Sequence, residues 1–348
     1  MFKLAAVLAL MSLGFLQAQN APEAPAPAGA DTIQVEVNVV NIPVTVKDVD
    51  GKFIIDLNKD DFRVYEDGRP VEIRYFTAST DQAKKPPLHV GFLVDLSNSA
   101  RLYYKTYRNS IGDLAFALVP EDGANNDKGF LIGYHTEVDV LVDVTSDPYL
   151  IAEKMENLKH GGGSTLLDAI YLACTQKLAS VPYQGTGEPR KAIVVVGDGH
   201  DNASKVRLED VIAAAQREQV TVYAVSTVAW GMHQEEERNL YQLAEATGGR
   251  VVRPMDAVHK DVSGHLSKPQ DAGNFVYTVG TGEYAQAQLK ALYSAISSIH
   301  GEVQAQYILG YNPPTPFTDG RFRDVKVEVT LPAQIEVTHR AGYYPPTR

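Results

Sequence analysis

Between residues 88 and 300 the chain repeats one pattern, a short apolar run followed by a stretch with helical spacing. Leu88-His89-Val90-Gly91-Phe92-Leu93-Val94-Asp95 is such a run, and residues 191–196 and 220–228 are others. These runs are apolar almost throughout, so each reads as a strand buried on both faces. Helical patterns follow them, one ending near residue 118 and others over residues 151–158, 166–179, 208–217, 235–247 and 284–299. Strands of this kind alternating with helices imply a mostly parallel sheet covered on both sides, a doubly wound α/β fold. Residues 129–135 and 137–144 are separated by almost nothing, so they pair as a hairpin and add one antiparallel edge strand. Residues 256–282 are polar and Gly-rich and read as an inserted loop.

The flanks carry a different pattern. In residues 33–80, Ile33, Val35, Val37 and Val39 alternate with polar residues, and Val44-Thr45-Val46 follows. Turns are expected at residues 48–52 and at Asp67-Gly68, with strands at Phe62-Arg63-Val64-Tyr65 and over residues 71–76. The tail, residues 304–345, repeats this with strands at 306–309, 325–329 and 334–338 and a turn at Asp319-Gly320. Each flank is near the lower limit for burying a core alone, which predicts that the two pack together as one small β domain. Lys84-Lys85-Pro86-Pro87 breaks the first flank from an α/β unit expected over residues 86–300.

The first 18 residues read as an export signal, with Lys3 before an apolar run from Leu4 to Leu16 that is short for a membrane span. Residues 19–32 are rich in Ala and Pro and read as a tether. This predicts an exported protein, periplasmic or secreted, with no transmembrane span once the signal is removed. The single cysteine, Cys174, rules out an internal disulfide and lies on an apolar helix face, as a buried core thiol would. The formal net charge of -11 argues against nucleic acid as a partner, because a phosphate backbone is bound through clustered Lys and Arg.

In an open α/β sheet, ligands bind beyond the carboxyl ends of the strands. Three features converge there. Asp95-Leu96-Ser97-Asn98-Ser99 ends the first strand, Gly161-Gly162-Gly163-Ser164-Thr165 precedes a helix, and Gly197-Asp198-Gly199 ends the strand at 191–196. Two carboxylates and three hydroxyls form a set of hard oxygen donors with no Cys or His among them, which suits Mg²⁺, Mn²⁺ or Ca²⁺. Each piece alone has a plainer reading: Ser97 or Thr165 as a helix cap, Asp198-Gly199 as a turn. Asp201, close by, reads as a loop-capping group rather than a ligand.

Together, Asp-x-Ser-x-Ser, a distant Thr in a Gly-Gly-x-Thr-Leu-x-Asp-Ala-like context and Asp-Gly after a buried strand resemble the metal-ion-dependent adhesion site of von Willebrand factor A domains. The resemblance implies the Rossmann-like fold of that family, one divalent ion, and a role in binding rather than catalysis. It also implies that Ser97, Ser99 and Thr165 touch the ion directly, while Asp95 and Asp198 act partly through water. The flanking motifs Asp61-Phe62-Arg63-Val64-Tyr65-Glu66-Asp67-Gly68, Tyr307-Ile308-Leu309-Gly310-Tyr311 and Arg340-Ala341-Gly342-Tyr343-Tyr344 resemble a narrower group, the von Willebrand factor A-related proteins of acidobacteria. The expected partner is a protein that presents an acidic residue, with selectivity from loops at 98–103, 160–164 and 230–237. Two rival classes are a structural envelope protein with a vestigial metal site and a hydrolase. Against the second, the chain has no His-Glu-x-x-His run and no Gly-x-Ser-x-Gly elbow.

Overall fold

The computed structural model describes residues 39–102, 104–121, 123, 125–179, 189–228, 235–256, 283–315, 318–331 and 334–345. The expected signal and tether, the strand residues Ile33, Val35 and Val37, nearly all of the inserted loop, and residues 230–234 of the third rim loop lie outside them.

The N-terminal flank forms β1 (Val40–Asp48), β2 (Phe62–Glu66), β3 (Arg69–Val71) and β4 (Tyr75–Thr77). The α/β unit follows as β5 (Leu88–Asp95), α1 (Tyr104–Leu118), β6 (Lys128–Tyr134), β7 (Val138–Thr145), α2 (Pro148–Lys154), α3 (Leu166–Leu172), β8 (Arg190–Gly197), α4 (Leu208–Arg217), β9 (Val220–Ser226), α5 (Arg238–Thr247), β10 (Val251–Val252) and α6 (Glu283–Gln304). The tail adds β11 (Tyr307–Tyr311), β12 (Arg323–Val329), β13 (Ile335–Thr338) and β14 (Gly342–Tyr343).

The central sheet has the order β10-β9-β8-β5-β6-β7. All its pairs are parallel except β6 with β7, at one edge. Alternate residues of each strand feed opposite faces, as the pleat requires. Val90, Phe92, Val94, Val194 and Val225 join a core with α1, α2 and α6, while Leu93, Ile193, Val195 and Ala224 join a second core with α3, α4 and α5. Cys174 is fully buried in the second core, in a π-helical turn that continues α3. The closing helix, expected over residues 284–299, runs on to Gln304, because Ile299 and Val303 still face the first core.

The flanks share two antiparallel sheets, β13-β1-β11-β4 and β14-β12-β2-β3, so strands from both ends of the chain interleave in each. Val40, Ile42, Val64, Leu309, Val325 and Val327 fill the core between the sheets. One expectation is corrected here. The run at residues 71–76 is two strands rather than one: β3 pairs with β2 in one sheet and β4 pairs with β11 in the other. Asp67 and Gly68, both at positive φ, close the β2–β3 hairpin, and the chain then crosses between sheets with Ile73 buried at the crossing. The three flanking motifs meet inside this sandwich. Glu66, 1% exposed, accepts hydrogen bonds from the Tyr311 and Tyr343 hydroxyls at 2.8 and 2.9 Å, and the Arg340 guanidinium lies 5.8 Å from the Tyr343 ring centre.

The sandwich is fastened to the α/β unit at the end where the parallel strands begin. Arg190, first residue of β8, donates to the Pro86, Val303 and Gln306 oxygens at 3.1, 2.9 and 3.3 Å. Lys85 donates to the carbonyls of Ser79 and Gln304. Arg340 donates to Gln219, just before β9, at 3.0 Å. Glu302 on α6 pairs with Lys47 of β1 at 2.8 Å and with Arg250 at 2.6 Å.

Candidate functional site

The chain runs from β5 outward to β6 and β7, then returns to the other side of β5 for β8 and β9. The direction of winding therefore reverses between β5 and β8, and the crevice at their carboxyl ends is where such a sheet takes a ligand. Asp95 ends β5 and Asp198 directly follows β8, so both carboxylates stand at that reversal. They are 3% and 7% exposed. Among the described residues neither pairs with a Lys or Arg.

The loops around them are laced together through backbone groups. Gly161 N–H donates to the Leu96 carbonyl at 2.8 Å and Asn98 N–H to the Gly162 carbonyl at 3.3 Å. Ser164 N–H donates to the Asn202 side chain at 2.9 Å, and the N–H groups of Asn202 and Ala203 return to the Ser164 carbonyl at 3.1 and 3.0 Å. Gly162 has φ +83°, and a Cβ on it would meet the Thr136 hydroxyl at 2.1 Å, so the glycine run lets this loop lie against the β6–β7 turn.

Within this frame the structure brings Asp95, Ser97 and Ser99 together. The Ser97 N–H donates to Asp95 Oδ1 at 2.7 Å, and the Ser97 and Ser99 hydroxyls share a hydrogen bond of 2.9 Å. Asp198 Oδ1 accepts the His200 N–H at 3.0 Å. Thr165 occupies the position before α3, yet its hydroxyl makes no capping hydrogen bond; it is buried and has no partner. The helix is capped instead by Asp201, whose Oδ2 accepts the Leu167 N–H at 2.8 Å and the Ser204 hydroxyl at 2.6 Å, while Oδ1 accepts the Ser204 N–H at 3.2 Å. The plain reading of Thr165 as a cap fails, and the capping reading of Asp201 matches the structure. Asp168, the Asp of the Gly-Gly-x-Thr-Leu-x-Asp-Ala-like stretch, to which sequence reasoning assigned no role of its own, takes the N–H groups of Lys205 and Val206, both at 3.0 Å, and so holds the same loop.

Burial pushes the Asp95 carboxyl up to about 6, and the neighbouring Asp198 charge adds to the rise against the Ser97 hydrogen bonds that oppose it. Two buried carboxylates without a Lys or Arg partner among the described residues, and a buried hydroxyl without any, are groups that a cation could satisfy. Among the described residues no group of three or more His, Cys, Asp or Glu side chains is arranged to hold a metal, so an ion here would draw on hydroxyls as well. The donor set fits a hard divalent cation.

Residues 89–259 match the family model of the von Willebrand factor type A domain. This segment has the von Willebrand factor type A fold. Such domains typically mediate protein–protein interaction. Among solved structures the chain is similar to the conserved hypothetical protein BatB from Bacteroides thetaiotaomicron, with 19% identity over 48% of this chain and 89% of that one and a TM-score of 0.37. It is also similar to a von Willebrand factor type A protein from Catenulispora acidiphila (12% identity, 74% of this chain, 51% of that one, TM-score 0.41). A third similar structure holds three N-terminal domains of the type V pili tip protein Mfa5 from Porphyromonas gingivalis (16% identity, 47% and 27%, TM-score 0.30). The chain thus spans only part of the second and third of these proteins. No curated protein matches it. Among the described residues no helix is long and apolar enough to cross a membrane.

Proposed function

We propose that the von Willebrand factor type A domain holds one divalent cation, Mg²⁺, Mn²⁺ or Ca²⁺, through Asp95, Ser97, Ser99, Thr165 and Asp198, and uses it to capture a carboxylate on a protein partner. The observation that carries this reading is the pairing of two buried carboxylates that lack a Lys or Arg partner among the described residues with a buried, unpartnered Thr165 hydroxyl. A hard cation would offset the carboxylate charge and give the hydroxyl a partner. A bound ion would supply an electrophilic centre with room for one anionic oxygen from outside. The protein is then an exported binding or adhesion module of the periplasm or the cell exterior. The sequence of residues 1–18 supports the export, and the flanking motifs support placement with the acidobacterial von Willebrand factor A-related group.

The test is calorimetry with Mg²⁺ and Mn²⁺ on the parent, Asp95→Ala and Thr165→Ala, with thermal denaturation alongside. Binding should be lost in both variants while each still unfolds cooperatively, because both residues lie at a loop edge. Unchanged affinity in the two variants would overturn the assignment. A pull-down from envelope extract with and without EDTA then separates metal-dependent capture from a structural role.

A further inference from the structure

We infer that Tyr134 is a positioning residue of this cation site, its phenol taking the Asp95 carboxylate as partner when an ion binds and so keeping it in the orientation the ion needs; the inference rests on the metal reading above. Tyr134 is the last residue of β6 and stands in register with Asp95 across the parallel pair. Its carbonyl accepts the Leu96 N–H at 2.8 Å, which locks the strand end to the metal-motif loop. The side chain is fully buried, and its hydroxyl has no hydrogen-bond partner. That hydroxyl is not lost in the core. A Cβ placed on Gly197 would lie 2.4 Å from it and 3.3 Å from Asp95 Oδ2, so both groups press on the same bare stretch of β8, one residue before Asp198. The Tyr134 hydroxyl is therefore a hydrogen-bond donor that shares one small space with the Asp95 carboxylate.

A buried hydroxyl without a partner is costly, and a Phe would fill the same volume without that cost. Asp95 Oδ1 is already committed to the Ser97 N–H, so Oδ2 is the oxygen a phenol could steady. Outer-layer donors of this kind orient ligating carboxylates and influence metal affinity strongly. Gly197 supports the same geometry, since a side chain there would drive the phenol away from Asp95.

The experiment compares the parent with Y134F in the full chain, using Mg²⁺ alone as the probe. Calorimetry should show affinity about 10–100-fold weaker in Y134F. In EDTA the variant should unfold at the same temperature as the parent or higher. Adding Mg²⁺ to the parent should shift the tyrosine absorbance band as one buried phenol gains a partner, and Y134F should lack that difference spectrum. Equal affinity or an equal difference spectrum in Y134F, with binding still abolished by Asp95→Ala, overturns the role of Tyr134 and leaves the site standing. A parent that binds no divalent ion overturns both.

Discussion

Glu302 joins three parts of the molecule, and removing it should be costly. It sits near the end of α6, is 1% exposed, and places one carboxylate oxygen 2.8 Å from Lys47 of the sandwich and 2.6 Å from Arg250 beside the central sheet. Removing one partner of a buried ion pair costs about 3–5 kcal/mol, because a charge is left without compensation. The Lys47 side chain is 9% exposed and cannot relax into water without moving β1, whereas Arg250, at 30%, can partly do so and keeps a hydrogen bond to Ser298. The loss for Glu302→Ala should therefore lie near the lower end, about 3 kcal/mol. Urea denaturation of the full chain, followed by circular dichroism and tyrosine fluorescence, would measure it. A Lys47→Met, Glu302→Leu double variant should recover much of the loss, since apolar replacement of a buried pair is often neutral. A cost below about 1 kcal/mol, the range of exposed pairs, would refute the argument.

Two further outcomes follow from buried titratable groups. His89, 2% exposed at the start of β5, is held at about 4 by burial, with Lys128 and Lys191 adding to the effect. The unfolded chain takes up this proton from its ordinary value of 6.5 downward while the folded chain does not, so stability should be full above that pH and fall as pH drops from 6.5 towards 4. The slope from this one group should reach roughly 1.4 kcal/mol per pH unit, and a His89→Gln variant should flatten the profile measured by urea midpoints. Cys174 is fully buried and burial pushes its thiol far up, so at neutral pH a disulfide reagent should label it only as fast as the protein opens; immediate labelling of the native protein would contradict the packing.

The α/β unit was legible in the sequence because its central strands carry their evidence locally. β5, β8 and β9 are buried along almost their whole length, which is what an unbroken apolar run encodes. The sandwich was less legible. Its strands are short, and pairing β1 with both β11 and β13 depends on contacts some 260–290 positions away, read from the paired positions Val44–Tyr307 and Thr45–Thr338. The break between β3 and β4 left no mark because Val71, Ile73 and Tyr75 keep the alternation of one strand while the chain changes sheets. In the site, the spacing of Asp95, Ser97 and Ser99 was visible, since it is a local motif. Tyr134 was not: at the end of an apolar strand it reads as core, and only its place beside Gly197 in three dimensions reveals a polar tip sharing a space with the Asp95 carboxylate. Glu66 was hidden for a similar reason, although its inward position is set by the same alternation that buries Phe62 and Val64.

The two ends of the central sheet do different work. Parallel strands gather their amino ends at one edge, and there Arg190, Gln219 and Arg250 meet the sandwich or the end of α6. The α/β unit is also entered and left at this edge, at Pro87 and Gln304, which Arg190 and Lys85 clamp. The carboxyl ends of β5 and β8, with Asp95 and Asp198, lie a full strand length away, about 25 Å for the eight residues of β8. The chain needs no through-connection to the sandwich at that far edge, so it carries connecting loops. A side chain of the sandwich cannot span that distance, so it cannot ligate an ion held by Asp95. If a partner is captured there as proposed, its selectivity comes from loops of the α/β unit, and the described parts of the rim at residues 98–102 and 160–164 are joined next to Ser97 by the Gly161–Leu96 and Asn98–Gly162 hydrogen bonds. If the proposed cation site is right, a substitution in these loops that changes partner choice should also shift metal affinity, whereas one in the sandwich core, such as at Glu66, should change stability and leave metal affinity, read by calorimetry, unmoved.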